Sequence, residues 1–441
     1  MKHGRWTILA IAAIAALGAG VAGCGGDDGG SGGGDVAALP ASSCPAAFLY
    51  EGEGKADYLI ASDLPLQGAS RPQTEQMGKA IAFILKQRGY KAGDKKIAYQ
   101  ACDDATAKVA SWDSAKCTAN ANAYVANKAL IGVIGTFNSG CAKLVIPILN
   151  TAHIAMVSPA NTDVGLTQGG PVEPGEPDKY YPSGKRNYAR VVAADNFQGP
   201  ALAVFAQTDL KLKKVFVLND GQLYGAGLAN NFRDVAKKLN LGVAGFQKWD
   251  SKSTSFEPLG TTIKATGADG VFLADIVDNA GGKLVKDLRA VLGPDVHILA
   301  PYGFTPIESV IKDTGKAGEG VYVSVAGPPV NQLTGKGKQF VTDFGATVGG
   351  PNKVQAYAAY AAQAAEVMLD AIAASDGTRQ SVVDNLFKTN VTDGIMGSFG
   401  FDANGDTTAG GVTVYQIKGG KQVTIRVVTP DAALVGKGQV P

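Results

Sequence analysis

Short apolar or β-branched runs recur along the chain at intervals long enough to hold a helix between them. Residues 97–100, 130–134, 154–157, 215–218, 271–273 and 321–325 read as strands buried on both faces of a parallel sheet, and 58–61 opens the series. Between them the period changes. Met77, Ala80, Ile81, Ile84 and Leu85 form one helical stripe that stops at Gly89, and 227–239 and 283–292 follow the same spacing. This alternation predicts an α/β protein built from doubly wound parallel sheets. The Pro-, Gly- and charge-rich stretch 168–185 breaks it and is expected to be a surface insertion between two such sheets. Near the end, Asp402, Asn404 and Asp406 alternate as in a calcium loop, but the glycine is misplaced and an Asn-Gly turn fits better. Alternating Val412, Val414 and Ile417 follow.

A chain of 441 residues is too long for one typical core, so two domains are expected. Its first residues belong to neither. Lys2 and Arg5 precede the apolar run 8–20, and Val21-Ala22-Gly23-Cys24 ends it in the manner of a lipobox, which reads 1–23 as a signal peptide. The run is shorter than the ~20 residues a spanning helix needs. Residues 25–34 are nearly all Gly, Asp and Ser, a composition that forms a flexible tether. Cys24 is thus the expected lipid attachment point, 24–56 the tether and lead-in, and the folded part stands outside the cytoplasm.

Charge and cysteines are read after that removal. Without Lys2 and Arg5, the 41 basic residues fall to 39 against 39 acidic ones, a balance that argues against nucleic acid. Cys44, Cys102, Cys117 and Cys141 then sit in an oxidising compartment and are even in number, which predicts two disulfides. Three connectivities are open. Cys102 and Cys141, both expected on loops at one sheet edge, are the favoured pair, and the absence of any Cys-x-x-Cys argues against zinc.

Two strand ends carry the candidate chemistry: Gly135-Thr136-Phe137-Asn138-Ser139-Gly140 and Ser158-Pro159-Ala160-Asn161-Thr162. A right-handed strand-helix-strand unit brings both to one sheet edge, where hydroxyls and free N–H groups beside helix starts suit a carboxylate. Enzyme signatures are missing. His3 leaves with the leader, His153 and His297 are far apart, and no nucleophile elbow, zinc-protease helix or phosphate loop occurs. Tyr224-Gly225-Ala226-Gly227 lacks the third glycine of a dinucleotide loop.

Five strings occur in an order that resembles one family: Ser62-Asp63-Leu64-Pro65-Leu66-Gln67-Gly68, Gly135 to Ser139, Ser158 to Thr162, Asn219-Asp220-Gly221-Gln222-Leu223-Tyr224-Gly225, and Phe399 to Asp406. The chain resembles the branched-chain amino-acid (leucine/isoleucine/valine) binding proteins of bacterial ABC importers, from about residue 57 to about 418. The resemblance implies a type I periplasmic binding protein: two lobes, 57–190 plus 328–410 and 191–327 plus 411–441, joined by crossover strands near 188–195, 323–328 and 410–414. It implies a small-molecule solute, an ABC permease and ATPase as partners, no cofactor and a monomer. A membrane sensor as partner, or an anchored enzyme, are the alternatives. By the same resemblance Ser139, Ala160 and Thr162 hold the solute's carboxylate and share its ammonium, and Tyr224 covers it.

Two positions depart from the family pattern. Ala300-Pro301-Tyr302-Gly303 carries Tyr302 where branched-chain members have a glutamate for the ammonium, so another acid must take over, and Asp275 or Asp278 is nearest by position. Arg71 stands near the place of a pocket aromatic and would favour a second anionic group. Tyr357, on the helical stretch 355–374, reads as core, although the family brings that helix start near the ligand.

Overall fold

The structure is a computed structural model that describes residues 36–169 and 173–435. The leader, Cys24, the glycine-rich stretch and the last six residues of the chain lie outside the described residues. The described residues form one compact unit. Among the described residues no helix is long and apolar enough to cross a membrane.

The first half runs β1 (Tyr58–Leu64), α1 (Arg71–Gln87), β2 (Lys91–Ala92), β3 (Lys95–Asp103), the small pair β4 (Ala105–Thr106) and β5 (Ser111–Trp112), α2 (Ser114–Ala126), β6 (Leu130–Gly135), α3 (Ser139–Thr151), β7 (Ala155–Ser158) and β8 (Tyr188–Arg190). These strands form a sheet in the order β2-β3-β1-β6-β7-β8, parallel except for the short β2. Successive side chains of β1 serve two cores. Ile60 and Leu64 pack with Ile81 and Ile84 of α1, while Leu59 and Ala61 pack with Tyr124 of α2 and Val145 of α3. Burial on both faces is why this strand has no polar face to read.

The chain then continues through α4 (Asp195–Val204), β9 (Lys214–Asn219), α5 (Leu223–Lys238), β10 (Gly242–Lys248), α6 (Glu257–Ala265), β11 (Gly270–Ala274), α7 (Gly281–Leu292), β12 (His297–Ala300), α8 (Ile307–Thr314) and β13 (Tyr322–Ala326). It returns to the first sheet with α9 (Gly335–Thr347), α10 (Ala356–Ala373), α11 (Arg379–Leu386) and the hairpin β14 (Asn390–Gly394) and β15 (Gly397–Gly400), α10 packing along α1. It ends with β16 (Val412–Lys418) and β17 (Lys421–Val428) in the second sheet, ordered β10-β9-β11-β12-β13-β16-β17. There β16 alone runs against the others, pairing antiparallel with β13 on one side and β17 on the other. Each sheet is thus completed by distant sequence, and the chain passes between sheets after β8, after β13 and before β16.

A buried ion pair ties two of these passages together. Arg190, the last residue of β8, donates from Nε to Asp406 Oδ1 at 2.6 Å, and both side chains are fully buried. Its other nitrogens reach the Asp163 carbonyl at 2.7 Å and Thr167 Oγ1 at 2.5 Å. Asp406 closes the 402–406 turn, in which Asp402 Oδ1 accepts the N–H groups of Asn404 and Asp406 and Gly405 adopts φ +90°. The Asn-Gly turn is the structure seen, with the Asp406 carboxylate committed to Arg190.

Two expectations are corrected. The disulfides are Cys44–Cys102 and Cys117–Cys141, not Cys102–Cys141. The lead-in packs beside β3, with Leu49 bridging Tyr99 and the Leu39 N–H held by Gln100 Oε1 at 2.8 Å, and this carries Cys44 to Cys102. The insertion 168–185 lies between β7 and β8 of one sheet, not between two sheets, because β8 pairs with β7 before the chain crosses. It packs down through Tyr180 and Tyr181, the latter donating to the Leu166 carbonyl at 2.7 Å.

Candidate functional site

The carboxyl ends of β6 and β7 in one sheet face those of β9, β11 and β12 in the other across a cleft with about 470 Å³ of empty space, part of it open to solvent. Ligands of open parallel sheets bind at such ends. From the first sheet come Ser139, Ala160 and Thr162. Ser139 is the first residue of α3, whose preceding residue Asn138 makes no side-chain bond to the helix start and leaves a buried Oδ1 without a partner. The N–H groups of an unsatisfied first turn and the helix dipole favour an anionic oxygen there. Gly140 must be glycine, since a Cβ would stand 2.4 Å from the Trp112 ring, and this contact lets Trp112 form a wall of the cleft.

The 158–162 loop is built by one hydroxyl. Ser158 Oγ donates to the Thr136 carbonyl at 3.0 Å and accepts from the N–H groups of Ala160 at 3.1 Å and Asn161 at 2.8 Å. The Ala160 N–H is therefore spent, and its carbonyl is the polar group left for a ligand. Thr162 binds Asp195 twice, through its carbonyl to the Asp195 N–H at 2.7 Å and through its hydroxyl to the carboxyl. Burial raises the Asp195 carboxyl from 3.8 to about 7, with Thr162 and Gln198 pulling it the other way.

Gln198 of α4 gathers the second sheet's contribution. Its Nε2 donates to Asp195 Oδ1 at 2.8 Å and to Tyr224 Oη at 3.3 Å, and its Oε1 accepts from the Tyr302 N–H at 2.7 Å. Tyr224 Oη also accepts from the Gly303 N–H at 3.2 Å. Tyr302 lines the cleft with a buried hydroxyl that has no partner. Phe137 and Tyr357 meet edge-on at 5.7 Å, so five aromatic rings surround the space.

The lining holds one acid, Asp220, and no lysine or arginine. Asp220 Oδ1 accepts from the Gln222 N–H at 3.0 Å and Oδ2 from Asn279 Nδ2 at 2.7 Å; the same Asn279 amide reaches Asp275 Oδ1 at 2.8 Å. Burial raises both carboxyls; the charge of Asp220 raises Asp275 further, whereas a hydrogen bond from Asp275 lowers Asp220, and Asp275 Oδ2 has no partner. Two buried acids in contact, without a cation, form a site that a cation would relieve.

Ser139, Ala160, Thr162, Tyr224 and Tyr302 thus converge on one cleft. Asp275 does not line it but lies fully buried behind Asp220. Arg71 is apart from it: its side chain is 59% exposed at the start of α1 and pairs with Glu75 at 2.6 Å, one helical turn on. Asp278 lies outside it too, bonded to the segment before α1. Tyr357, read as core, lines the cleft from the first turn of α10 while the rest of that helix fills the core. Asp220, Trp112 and Phe137 were not singled out by sequence reasoning, although Asp220 and Phe137 stand inside the quoted strings.

Comparisons with known proteins agree with this geometry. The family described as "Periplasmic binding protein" matches residues 60–422. The Leu/Ile/Val-binding protein of Escherichia coli (strain K12) is 25% identical over 370 residues, covering 80% of this chain and 94% of the relative. Among solved structures, a leucine binding protein from Thermotoga maritima superposes with a TM-score of 0.74 at 24% identity, covering 85% of this chain and 99% of that one. A solute binding protein of an R. palustris ABC transporter, in complex with benzoate, gives 0.68 at 20% identity, covering 86% and 99%. Two parallel sheets exchanging strands around a cleft, matched over most of the chain, lead to one conclusion: the chain belongs to the periplasmic binding protein family, with the leucine/isoleucine/valine-binding substrate proteins of ABC importers.

Proposed function

We propose that the protein captures a small zwitterion of the amino-acid class, with its carboxylate at Ser139, Thr162 and the start of α3 and its ammonium at Asp220. The observation that carries this reading is the pairing of an uncapped helix start on one side of the cleft with a cation-deficient acid pair on the other. Asp220, with Asp275 behind it, replaces the glutamate whose place Tyr302 occupies, and the Ala160 carbonyl shares the ammonium. The aromatic lining favours an apolar or aromatic side chain. The leucine-binding relatives support this assignment.

A second reading keeps the carboxylate site and omits the ammonium. The unpartnered Tyr302 hydroxyl and the ring-lined walls favour it, and the benzoate complex of an R. palustris relative supplies a precedent.

In both readings lobes 57–190 plus 328–410 and 191–327 plus 411–441 close on the solute about the three crossings. The closed form delivers it to an ABC permease and ATPase, from a monomer tethered through Cys24 to the outer face of the cell membrane. A membrane sensor as recipient is the alternative. The test is calorimetric titration of the chain beginning at Asp35 with leucine, phenylalanine, benzoate, dicarboxylates and amides. Binding of the amino acids and not of benzoate supports the first reading; the reverse order replaces it with the second.

A further inference from the structure

The loop that joins the acid pair to α7 makes a contact outside the cleft. Asp275 belongs to the pair and Asn279 bridges it. Between them, Asp278 reaches over to the other lobe. Its Oδ1 accepts from the N–H groups of Ala69 at 2.6 Å and Ser70 at 3.1 Å, and its Oδ2 accepts from the Ser70 hydroxyl. The partners are more than two hundred residues apart in sequence and belong to different sheets.

The receiving end suits this carboxylate. Ser70 precedes α1 without a side-chain bond into the helix, and the first turn of α1 contains no acid. The positive end of a 17-residue helix therefore lacks a counter-charge from its own lobe. Gly68 clears the way, since a Cβ there would lie 2.5 Å from Asp278 Oδ1, and its φ of +86° suits glycine. Arg71, the nearest cation on that helix, is turned to Glu75.

The geometry points to Asp278 as a closure latch, a residue that raises solute affinity without touching the solute by fastening one lobe to the α1 start of the other. This rests on the reading of the protein as a closing binding protein. When the lobes part, Asp278 returns to water and all three bonds are lost together, so their worth enters the closed-to-open ratio directly. Asp278 and Asp275 share the loop 275–279, and Asn279 ties that loop to Asp220, so the element that fastens the lobes also stands behind the acid that meets the ammonium.

The latch can be tested without knowing the solute. Spin labels at Lys79→Cys on α1 and Lys286→Cys on α7, both exposed, report the distance across the lobes by pulsed electron resonance in the solute-free protein. Asp278→Ala should lower the closed-to-open ratio about tenfold or more, the scale for hydrogen bonds to a charged group, and Asp278→Asn and Ser70→Ala by less, with the thermal midpoint of each variant near that of the parent. Identical distance distributions in parent and Asp278→Ala overturn the latch. A lowered midpoint without a changed distance distribution also overturns it, because the residue then serves only its own loop. Solute titrations that fail altogether, with the distance shift intact, would count against the proposed function and leave the latch standing.

Discussion

Asp195→Asn isolates the carboxyl that joins Thr162 to Gln198. In the parent its pKa rises from 3.8 to about 7, chiefly because burial disfavours the charge. The native state therefore binds more protons than the unfolded chain between those values, and stability falls as pH rises through the window. A shift of that size corresponds to about 4 kcal/mol once the group is fully ionised, of which about 2–3 kcal/mol is regained on going from pH 8 to pH 5. Asparagine keeps an oxygen for Gln198 Nε2 and removes the titration. Urea midpoints of parent and variant at pH 5, 6, 7 and 8 provide the assay. The variant should gain on the parent as pH rises, and the gap should narrow toward pH 5. Asp63, raised by burial to about 6, titrates in the same direction in both proteins and cancels in the comparison. Parallel pH profiles would refute the assignment of a costly charge to Asp195.

Ser139→Ala and Thr162→Ala should each weaken solute binding by about 1–3 kcal/mol in calorimetry, the cost of removing a bond to a charged group; unchanged affinity in both would remove the carboxylate site. Asp220→Asn should lower amino-acid affinity at least tenfold and spare any acid without an ammonium, so equal losses for both ligand types would speak against an ammonium role. The Cys117–Cys141 bridge closes a 24-residue separation and joins α2 to the first turn of α3. The double serine variant should lose about 3 kcal/mol, and an unmoved unfolding midpoint would contradict that.

What could be read from sequence follows from where burial is two-sided. The cores of β6 and β9 are continuous apolar runs covered on both faces, so their positions stood out. β10 sits at a sheet edge with glycines and exposed Gln247 and Lys248, so it carries no such run. The site was legible where it depends on strand ends, because a parallel sheet delivers Ser139 and Thr162 to one edge whatever the loops do. It was illegible where it depends on depth or direction. Asp220 and Asp275 follow adjacent strands, and only their packing decides that the first faces the cleft and the second stands behind it. Trp112 arrives from a two-residue strand, and its place against Gly140 has no periodic signal.

The pair Arg190–Asp406 gives two of the three crossings a common base. The two residues are also parallel bridge partners on the first-sheet side, and the Arg190 N–H is bonded to the Gly405 carbonyl at 2.9 Å. Breaking such a pair by removing one member costs about 3–5 kcal/mol, well above thermal energy, so the end of β8 and the approach to β16 leave the first sheet side by side. Their backbone protons then trade with heavy water only when the knot itself opens, which makes the Arg190 amide a slow clock for that event.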